Sequence, residues 1–221
     1  MPLRRPGVIG WETEERDTPR GMLGLLPVLA PADVWCQLAT PGATGVDPET
    51  GRKLMLSADR LVAVGDYLLT GPKRAGGRVP LCTVQDLVSA VARRRGKRGA
   101  KALRLALDLI RAGAQSPKET QLRLDLVRAG LPEPDVQVPI LTAQGLRHAD
   151  LGYPAERVLL EYLGDHHRLD RAQWLEDLTR VQLFQDAGYQ VFLVGAADLE
   201  SGCRALATRV RRALNGRHYG S

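Results

Sequence analysis

The alternation of apolar and polar positions is clearest in the second half of the chain. Short runs rich in β-branched and apolar residues, each bounded by turn residues, predict strands over 136–141, 146–151, 158–163 and 189–194. Longer segments with apolar residues at spacings of three and four predict helices over 117–129, 171–187 and 198–214. Since Pro139 cannot donate a backbone hydrogen bond, the first strand is expected at a sheet edge. The predicted order is α-β-β-β-α-β-α, a mixed α/β fold.

The first of these helices has the sharpest predicted boundaries. Ser116, Pro117 and Glu119 supply a cap residue, a first-turn proline and an acidic third position. Gly130 and Pro132 then supply a stop signal. This capping box by itself accounts for Glu119 without any chemistry.

The first half of the chain is predicted to be mainly helical. A short helix beginning at Ala32 or Asp33 would carry Trp35 and Leu38 inward. Further helices are predicted over 56–69, from the capping pair Thr83 and Asp86 into a basic run, and over 101–112, with a glycine-rich loop over 70–80. The expected domains are a mainly helical N-terminal region at 1–113 and an α/β domain at 114–221.

Composition narrows the class of protein. The 221 residues are 44% hydrophobic and 25% charged, and no apolar stretch reaches the ~18 residues that a membrane-spanning helix needs. A polar segment stands where a signal peptide would have its apolar core, so we expect a cytoplasmic protein. Three widely separated cysteines, Cys36, Cys82 and Cys203, form neither a disulfide framework nor a zinc motif and are expected to be buried thiols.

Positive charge is concentrated in one segment. There are 31 Lys and Arg against 25 Asp and Glu, a net charge of +6. The densest cluster comprises Arg93, Arg94, Arg95, Lys97, Arg98 and Lys101. Such a cluster suits the neutralisation of nucleic-acid phosphates. A solvated helix end and loop explains it equally well.

Two acids are expected to face each other across a hairpin. If the turn between the second and third strands is centred between Ala155 and Glu156, Asp150 lies opposite Glu161, with about 5 Å between their Cβ atoms. Carboxylates that close repel each other unless a cation lies between them, and Mg²⁺ favours such oxygen ligands. The alternative is an exposed pair that forms salt bridges with arginines.

Two neighbouring histidines follow the third strand. His166 and His167 come shortly after Gly164, where the strand is expected to end beside the two acids. A neutral imidazole there could accept a proton from an attacking water near pH 7. Both could equally be surface residues, and a zinc site built on them would lack thiolate ligands.

Four segments taken together resemble a known family. They are SPKETQLR at 116–123, ADLGYP at 149–154, LEYLGDHH at 160–167 and DAGYQV at 186–191. This ordered set resembles the bacterial family of uncharacterised domains related to very-short-patch mismatch-repair endonucleases, within the PD-(D/E)XK nuclease superfamily. The likeness extends over about residues 114–214.

The resemblance implies a restriction-endonuclease-like core with a divalent ion, Mg²⁺ or Mn²⁺, held by acids of the sheet hairpin. Asp150 and Glu161 match the metal-binding acids, and the hypothesis built on this match adds the Tyr162 carbonyl as a further metal ligand. Glu119 matches the acid of the leading helix and would orient a metal-bound water. His166 matches the histidine after the glycine, and His167 is the next candidate for the group that takes a proton from water.

One position departs from the pattern that the resemblance implies. The superfamily has a lysine two residues after the second acid, and the related family often has an aspartate. This chain has Leu163 there, which can neither bind a metal nor orient water.

The leading hypothesis is a Mg²⁺-dependent endonuclease that hydrolyses DNA phosphodiester bonds. The first rival is a catalytically inactive nuclease fold that serves as a DNA-binding or regulatory module in an antitoxin-like context. The second is a protein-interaction domain in which the acids only form salt bridges.

Overall fold

The computed structural model describes residues 20–23, 25–47, 49–164 and 171–217. The chain divides into two compact units, Met1–Ala112 and Gly113–Ser221. This division lies one residue before the one expected from the sequence. Each unit is described separately below. Within the described ranges, no helix is long and apolar enough to cross a membrane.

The first unit combines four helices with two short hairpins in its described part. Its elements are β1 (Arg20–Leu23), β2 (Leu26–Leu29), α1 (Pro31–Leu38), α2 (Ala58–Thr70), β3 (Lys73–Arg74), β4 (Gly77–Arg78), α3 (Val84–Arg93) and α4 (Ala100–Leu109). The strands pair antiparallel, β1 with β2 and β3 with β4. Four helices in these positions were predicted, with ends that differ by one to three residues.

Local signals explain where these helices begin and how they pack. The Thr83 hydroxyl accepts from the Asp86 N–H and the Asp86 carboxylate accepts from the Thr83 N–H, which is the predicted capping box of α3. Trp35 on α1 is 1% exposed. Its indole Nε1–H donates to the Leu61 carbonyl of α2 at 2.8 Å. A large aromatic side chain with a satisfied donor thus joins two helices.

Two expectations for the first unit were wrong. Segment 70–80 was expected to be loop only, but it contains the β3–β4 hairpin. The other concerns Cys82, which is only partly buried, whereas Cys36 and Cys203 are buried as expected. The β1–β2 hairpin lies before α1, in a stretch for which no helix or strand was predicted.

The second unit is a four-stranded mixed sheet with helices. Its elements are α5 (Pro117–Arg128), β5 (Asp135–Thr142), β6 (Gly145–Tyr153), β7 (Val158–Tyr162), α6 (Arg171–Asp186), β8 (Gln190–Val194), α7 (Ala196–Glu200) and α8 (Arg204–Arg217). The strand order is β5-β6-β7-β8. The first two pairings are antiparallel and β7–β8 is parallel. The mixed α/β class is confirmed, and Pro139 lies on the edge strand β5 as predicted.

The final predicted helix is two helices. Asp198 was expected to begin one helix reaching Leu214, but α7 ends at Glu200 and α8 begins at Arg204. The connection bends at Gly202, with φ 64°, and at Cys203, with φ 56°. Both values lie in the left-handed region, which a continuous right-handed helix cannot include.

Separate clusters of buried side chains pack on the two faces of the sheet. One includes Leu160 of β7, Leu122 of α5 and Leu206 of α8. The other includes Leu159 of β7 and Phe184 of α6. Neighbouring residues of a strand point to opposite faces, so α5 and α8 cover one face and α6 covers the other. The site described next lies on the α6 face, at the end of β7.

Candidate functional site

Asp150 and Glu161 face each other across the β6–β7 hairpin. The register pairs Tyr153 with Val158 and continues to Leu151 with Leu160. The pairing ends there. Asp150 and Glu161 are the next residues on the two strands, as the predicted turn centre between residues 155 and 156 requires. The two acids therefore come from neighbouring strands, which fix their separation.

Reciprocal hydrogen bonds hold the two carboxylates. The Asp150 N–H donates to Glu161 Oε1 at 3.0 Å. The Tyr162 N–H donates to Asp150 Oδ2 at 2.9 Å. Each acid thus accepts from the backbone of the opposite strand, which fixes the rotamers of both side chains.

The backbone on the other side of Asp150 is unusual. On β5, Val136 pairs with Leu151 and Val138 pairs with Ala149. Gln137, the residue between them and next to Asp150, is not itself paired and has φ 53°. Val136 packs with the cluster on the α5 and α8 face, whereas Val138 packs with the cluster on the α6 face. Regular alternation would place both on one face. The strand therefore changes face beside Asp150, in a left-handed conformation that non-glycine residues rarely adopt.

Burial raises the proton affinity of both acids. Glu161 is 2% exposed. Burial, and then the nearby Asp150 carboxylate, raise the pKa of Glu161 to about 8 against the opposing effect of Arg180. Burial also raises the pKa of Asp150, although the Tyr162 N–H and Arg180 favour its charged form. Two buried acids this close favour sharing a proton or binding a cation.

A cation already contacts the pair. Arg180 of α6 donates through Nη2 to Glu161 Oε2. Asp177, one turn earlier on the same helix, raises the pKa of Asp150 through its charge. The alternative prediction was that the two acids are exposed and form salt bridges with arginines. Glu161 does pair with an arginine, but its carboxylate is buried.

The donor set fits a magnesium-like ion. No group of three or more His, Cys, Asp or Glu side chains that could hold a metal occurs in the described ranges. Mg²⁺ commonly uses only one or two carboxylates and keeps several waters. Two carboxylates of suitable chemistry lie together here. The Tyr162 carbonyl as a further metal ligand stays a prediction.

Leu163 has no polar role at this site. Its side chain is 38% exposed, and its N–H donates to the Val194 carbonyl at 2.8 Å, which extends the pairing of β7 with β8. The position where the resemblance implies a lysine thus carries an apolar side chain at the strand end. Arg180 contributes positive charge near Glu161.

Glu119 acts in helix capping. The Ser116 hydroxyl accepts from the Glu119 N–H at 3.2 Å, as predicted. Glu119 Oε2 accepts from the Gln115 N–H at 2.8 Å, one residue before the position that a standard capping box uses. These contacts show that Glu119, a residue that is 6% exposed, caps the helix. Its role in orienting a metal-bound water stays a prediction. The predicted candidates His166 and His167 lie outside the described residues.

The residues of the predicted basic segment differ in their contacts and burial. The Arg93 guanidinium pairs with the Asp33 carboxylate at 2.8 Å, and Arg94 is partly buried. The exposed members are Arg95, Lys97, Arg98 and Lys101. Arg93 therefore helps to hold α3 against α1, and the exposed members remain candidates for phosphate contacts.

Two functional candidates were missed at the sequence level. The inward side of α6 carries Asp177, Arg180, Val181 and Phe184, which follow one another at intervals of three, one and three residues. That spacing could have indicated charged side chains directed at the sheet. The second candidate is α8, which carries five arginines and no acid in 14 residues. Its exposed arginines are Arg204, Arg209, Arg211 and Arg212.

Two proteins from Mycobacterium tuberculosis match part of the chain. One is from strain CDC 1551 / Oshkosh and the other from strain ATCC 25618 / H37Rv, and both are described as uncharacterised. Each is 31% identical over 135 residues, which is 61% of this chain. The chain spans about half the length of these relatives, since the match covers 50% of each. No family model matches the chain, and no solved structure matches it.

Proposed function

We propose that the second unit is a restriction-endonuclease-like domain that hydrolyses DNA phosphodiester bonds with a divalent ion. The observation that carries this proposal is the Asp150–Glu161 pair, two acids held opposite each other at the end of a sheet hairpin. Perturbed acids next to a backbone of unusual conformation are typical of functional sites. The α-β-β-β-α-β order and the resemblance support the same assignment.

In this proposal Asp150, Glu161 and the Tyr162 carbonyl hold Mg²⁺ or Mn²⁺. A bound divalent ion polarises the scissile phosphate and lowers the pKa of an attacking water. The two backbone N–H donors that fix the carboxylates keep their oxygens in place, so little reorganisation is needed on binding. His166 or His167 is the proposed acceptor of the proton from the water.

DNA would be held through its phosphates. The exposed basic residues of segment 93–101 and the arginine face of α8 suit contacts with a polyanion that do not depend on base sequence. The apolar side of α8 is used in the core of the second unit, so only the arginine face of this helix is available to a partner.

The direct test is nicking of supercoiled plasmid by the full-length chain in Mg²⁺, in Mn²⁺ and in EDTA. Asp150→Asn and Glu161→Gln should each abolish metal-dependent nicking because each removes one carboxylate ligand. Glu176→Gln is the matched control, since Glu176 is an exposed acid on α6 and its loss makes the same change in net charge. Nicking that persists in both site variants would exclude the proposed centre.

A second candidate function is a DNA-binding or regulatory module without catalysis. Leu163 favours it, because this residue offers no polar group where the resemblance implies a catalytic one. For this candidate, wild-type protein would retain DNA at low salt and produce no nicks with any of the metal ions. If Asp150→Asn altered stability but neither DNA binding nor cleavage, the pair would serve only as a structural element of an interaction domain.

A further inference from the structure

The two side chains of the ion pair between Arg180 and Glu161 differ in burial. The Glu161 side chain is 2% exposed, whereas that of Arg180 is 36% exposed. The Arg123–Glu133 pair of the same unit is reversed, with an arginine that is 1% exposed and an acid that is 36% exposed. In the first pair the acid is the fixed buried member and the arginine reaches it from the solvent side.

The contact made by Arg180 is also incomplete. One terminal nitrogen, Nη2, reaches one carboxylate oxygen, Oε2. The Nε atom of Arg180 is buried and has no hydrogen-bond partner among the described residues. An arginine held permanently on a carboxylate generally uses two parallel hydrogen bonds, which are stronger and more specific in geometry. Arg180 therefore neutralises Glu161 without the geometry of a fixed structural pair.

A divalent ion and this guanidinium compete for the same oxygen. Glu161 Oε1 already accepts from the Asp150 N–H, and Oε2 accepts from Arg180. An ion bound by both carboxylates would lie within a few ångströms of the guanidinium. Like charges at that distance repel strongly in a partly buried site. Full occupancy by the metal thus requires the arginine to move.

We propose that Arg180 is an exchangeable counter-ion of the Asp150–Glu161 pair, which occupies the position of the divalent ion until that ion binds and displaces it. This inference rests on the proposed metal-dependent function. The long arginine side chain has a path back to solvent, since it is itself 36% exposed. Arg180 thereby sets the affinity of the site for the metal.

The test is the affinity of the full-length chain for Mn²⁺ without DNA, measured from the electron paramagnetic resonance signal of free Mn²⁺ during titration. Arg180→Gln should bind Mn²⁺ at least about tenfold more tightly than wild type, because a competing positive charge is removed. Arg180→Lys should remain close to wild type, because it keeps the charge. Glu161→Gln should lose binding at this site.

Arg128→Gln is the matched control, since Arg128 forms a separate ion pair with Asp125 on α5. It makes the same change in net charge and should leave the Mn²⁺ affinity unchanged. If Arg180→Gln and wild type bind Mn²⁺ equally well, the exchange is refuted while the proposed metal site stands. If neither binds Mn²⁺, both the exchange and the proposed metal site are refuted.

A measurement on wild type covers the case in which Arg180→Gln does not fold. The arginine Nε–Hε resonance that is lost in Arg180→Lys identifies Arg180 in a ¹⁵N spectrum. Saturating Mg²⁺ should shift this resonance and speed its exchange with water as the guanidinium leaves Glu161. A resonance unchanged by Mg²⁺, at a concentration that protects the chain from thermal unfolding, would overturn the exchange.

Discussion

Replacing Glu161 by Gln should make the protein more stable at alkaline pH, and the gain should vanish in mild acid. Burial raises the pKa of Glu161 from its ordinary value of 4.5 to about 8. The folded state therefore binds a proton more tightly than the unfolded state. The stability that this proton gives to wild type is fully present below pH ~4.5 and is lost as the pH rises through about 8.

The magnitude follows from the size of this shift. Each pKa unit corresponds to about 1.4 kcal/mol of free energy, so the rise from 4.5 to about 8 sets a limit of roughly 5 kcal/mol. We expect about 2–5 kcal/mol of additional stability for Glu161→Gln at pH 8.5 relative to pH 4.5. The amide of Gln keeps an oxygen that can accept from the Asp150 N–H, so the hydrogen bond is preserved.

The assay is urea unfolding of both proteins in EDTA at constant ionic strength, at half-unit steps from pH 4.5 to 8.5. The quantity compared is the difference in the free energy of unfolding between variant and wild type. Glu176→Gln, which changes an exposed acid of α6, is the control. It shows how the loss of one carboxylate outside the Asp150–Glu161 pair changes the free energy of unfolding. A difference that stays flat with pH, or that favours wild type at pH 8.5, would refute the assignment of a costly buried charge to Glu161.

Three further changes test other parts of the structure. Gly99→Ala should destabilise the first unit by about 2 kcal/mol or more in thermal unfolding, because Gly99 has φ 85° and a Cβ there would lie 2.4 Å from the Ala39 carbonyl oxygen. Tyr153→Phe should cost about 1 kcal/mol in urea unfolding, because the hydroxyl donates to the Pro132 carbonyl at 2.9 Å. A triple Arg→Gln variant of α8 should bind a 20-base-pair duplex more weakly, with a salt dependence smaller by about two to three charges. It replaces Arg204, Arg209 and Arg212. An unchanged melting temperature, an unchanged unfolding midpoint or an unchanged salt slope would contradict the respective argument.

The hairpin that carries the two acids was predictable because its signals are local. A short turn fixes the register of the strands on either side of it, and alternation then fixes which residues face each other. The turn around Ala155 and Glu156 was therefore sufficient to predict that Asp150 lies near Glu161. The pairing up to Leu151 and Leu160 and the hydrogen bond between the two acids agree with this. The cap at Ser116 and the edge position of Pro139 were predictable for the same reason.

Features that depend on tertiary packing or on very short elements were not predicted. The contact between Arg180 and Glu161 joins residues 19 apart in the chain and depends on how α6 lies against the sheet. The β3–β4 hairpin consists of strands of only two residues each, too short for an alternation pattern. The break before α8 depends on a left-handed Cys203, a conformation for which cysteine has no marked preference.

The acid pair is hard to explain as a stabilising element, which supports a functional role for it. Removing charges from water costs more than a single ion pair usually returns, so apolar residues at such positions are often as stable or more so. The Arg123–Glu133 pair limits this cost by leaving its acid 36% exposed. At the end of β7, by contrast, a nearly inaccessible Glu161 faces a second acid and is met by only one nitrogen of Arg180. The pair therefore retains negative charge that a cation could still neutralise, and the Mn²⁺ titration of Arg180→Gln measures that capacity directly.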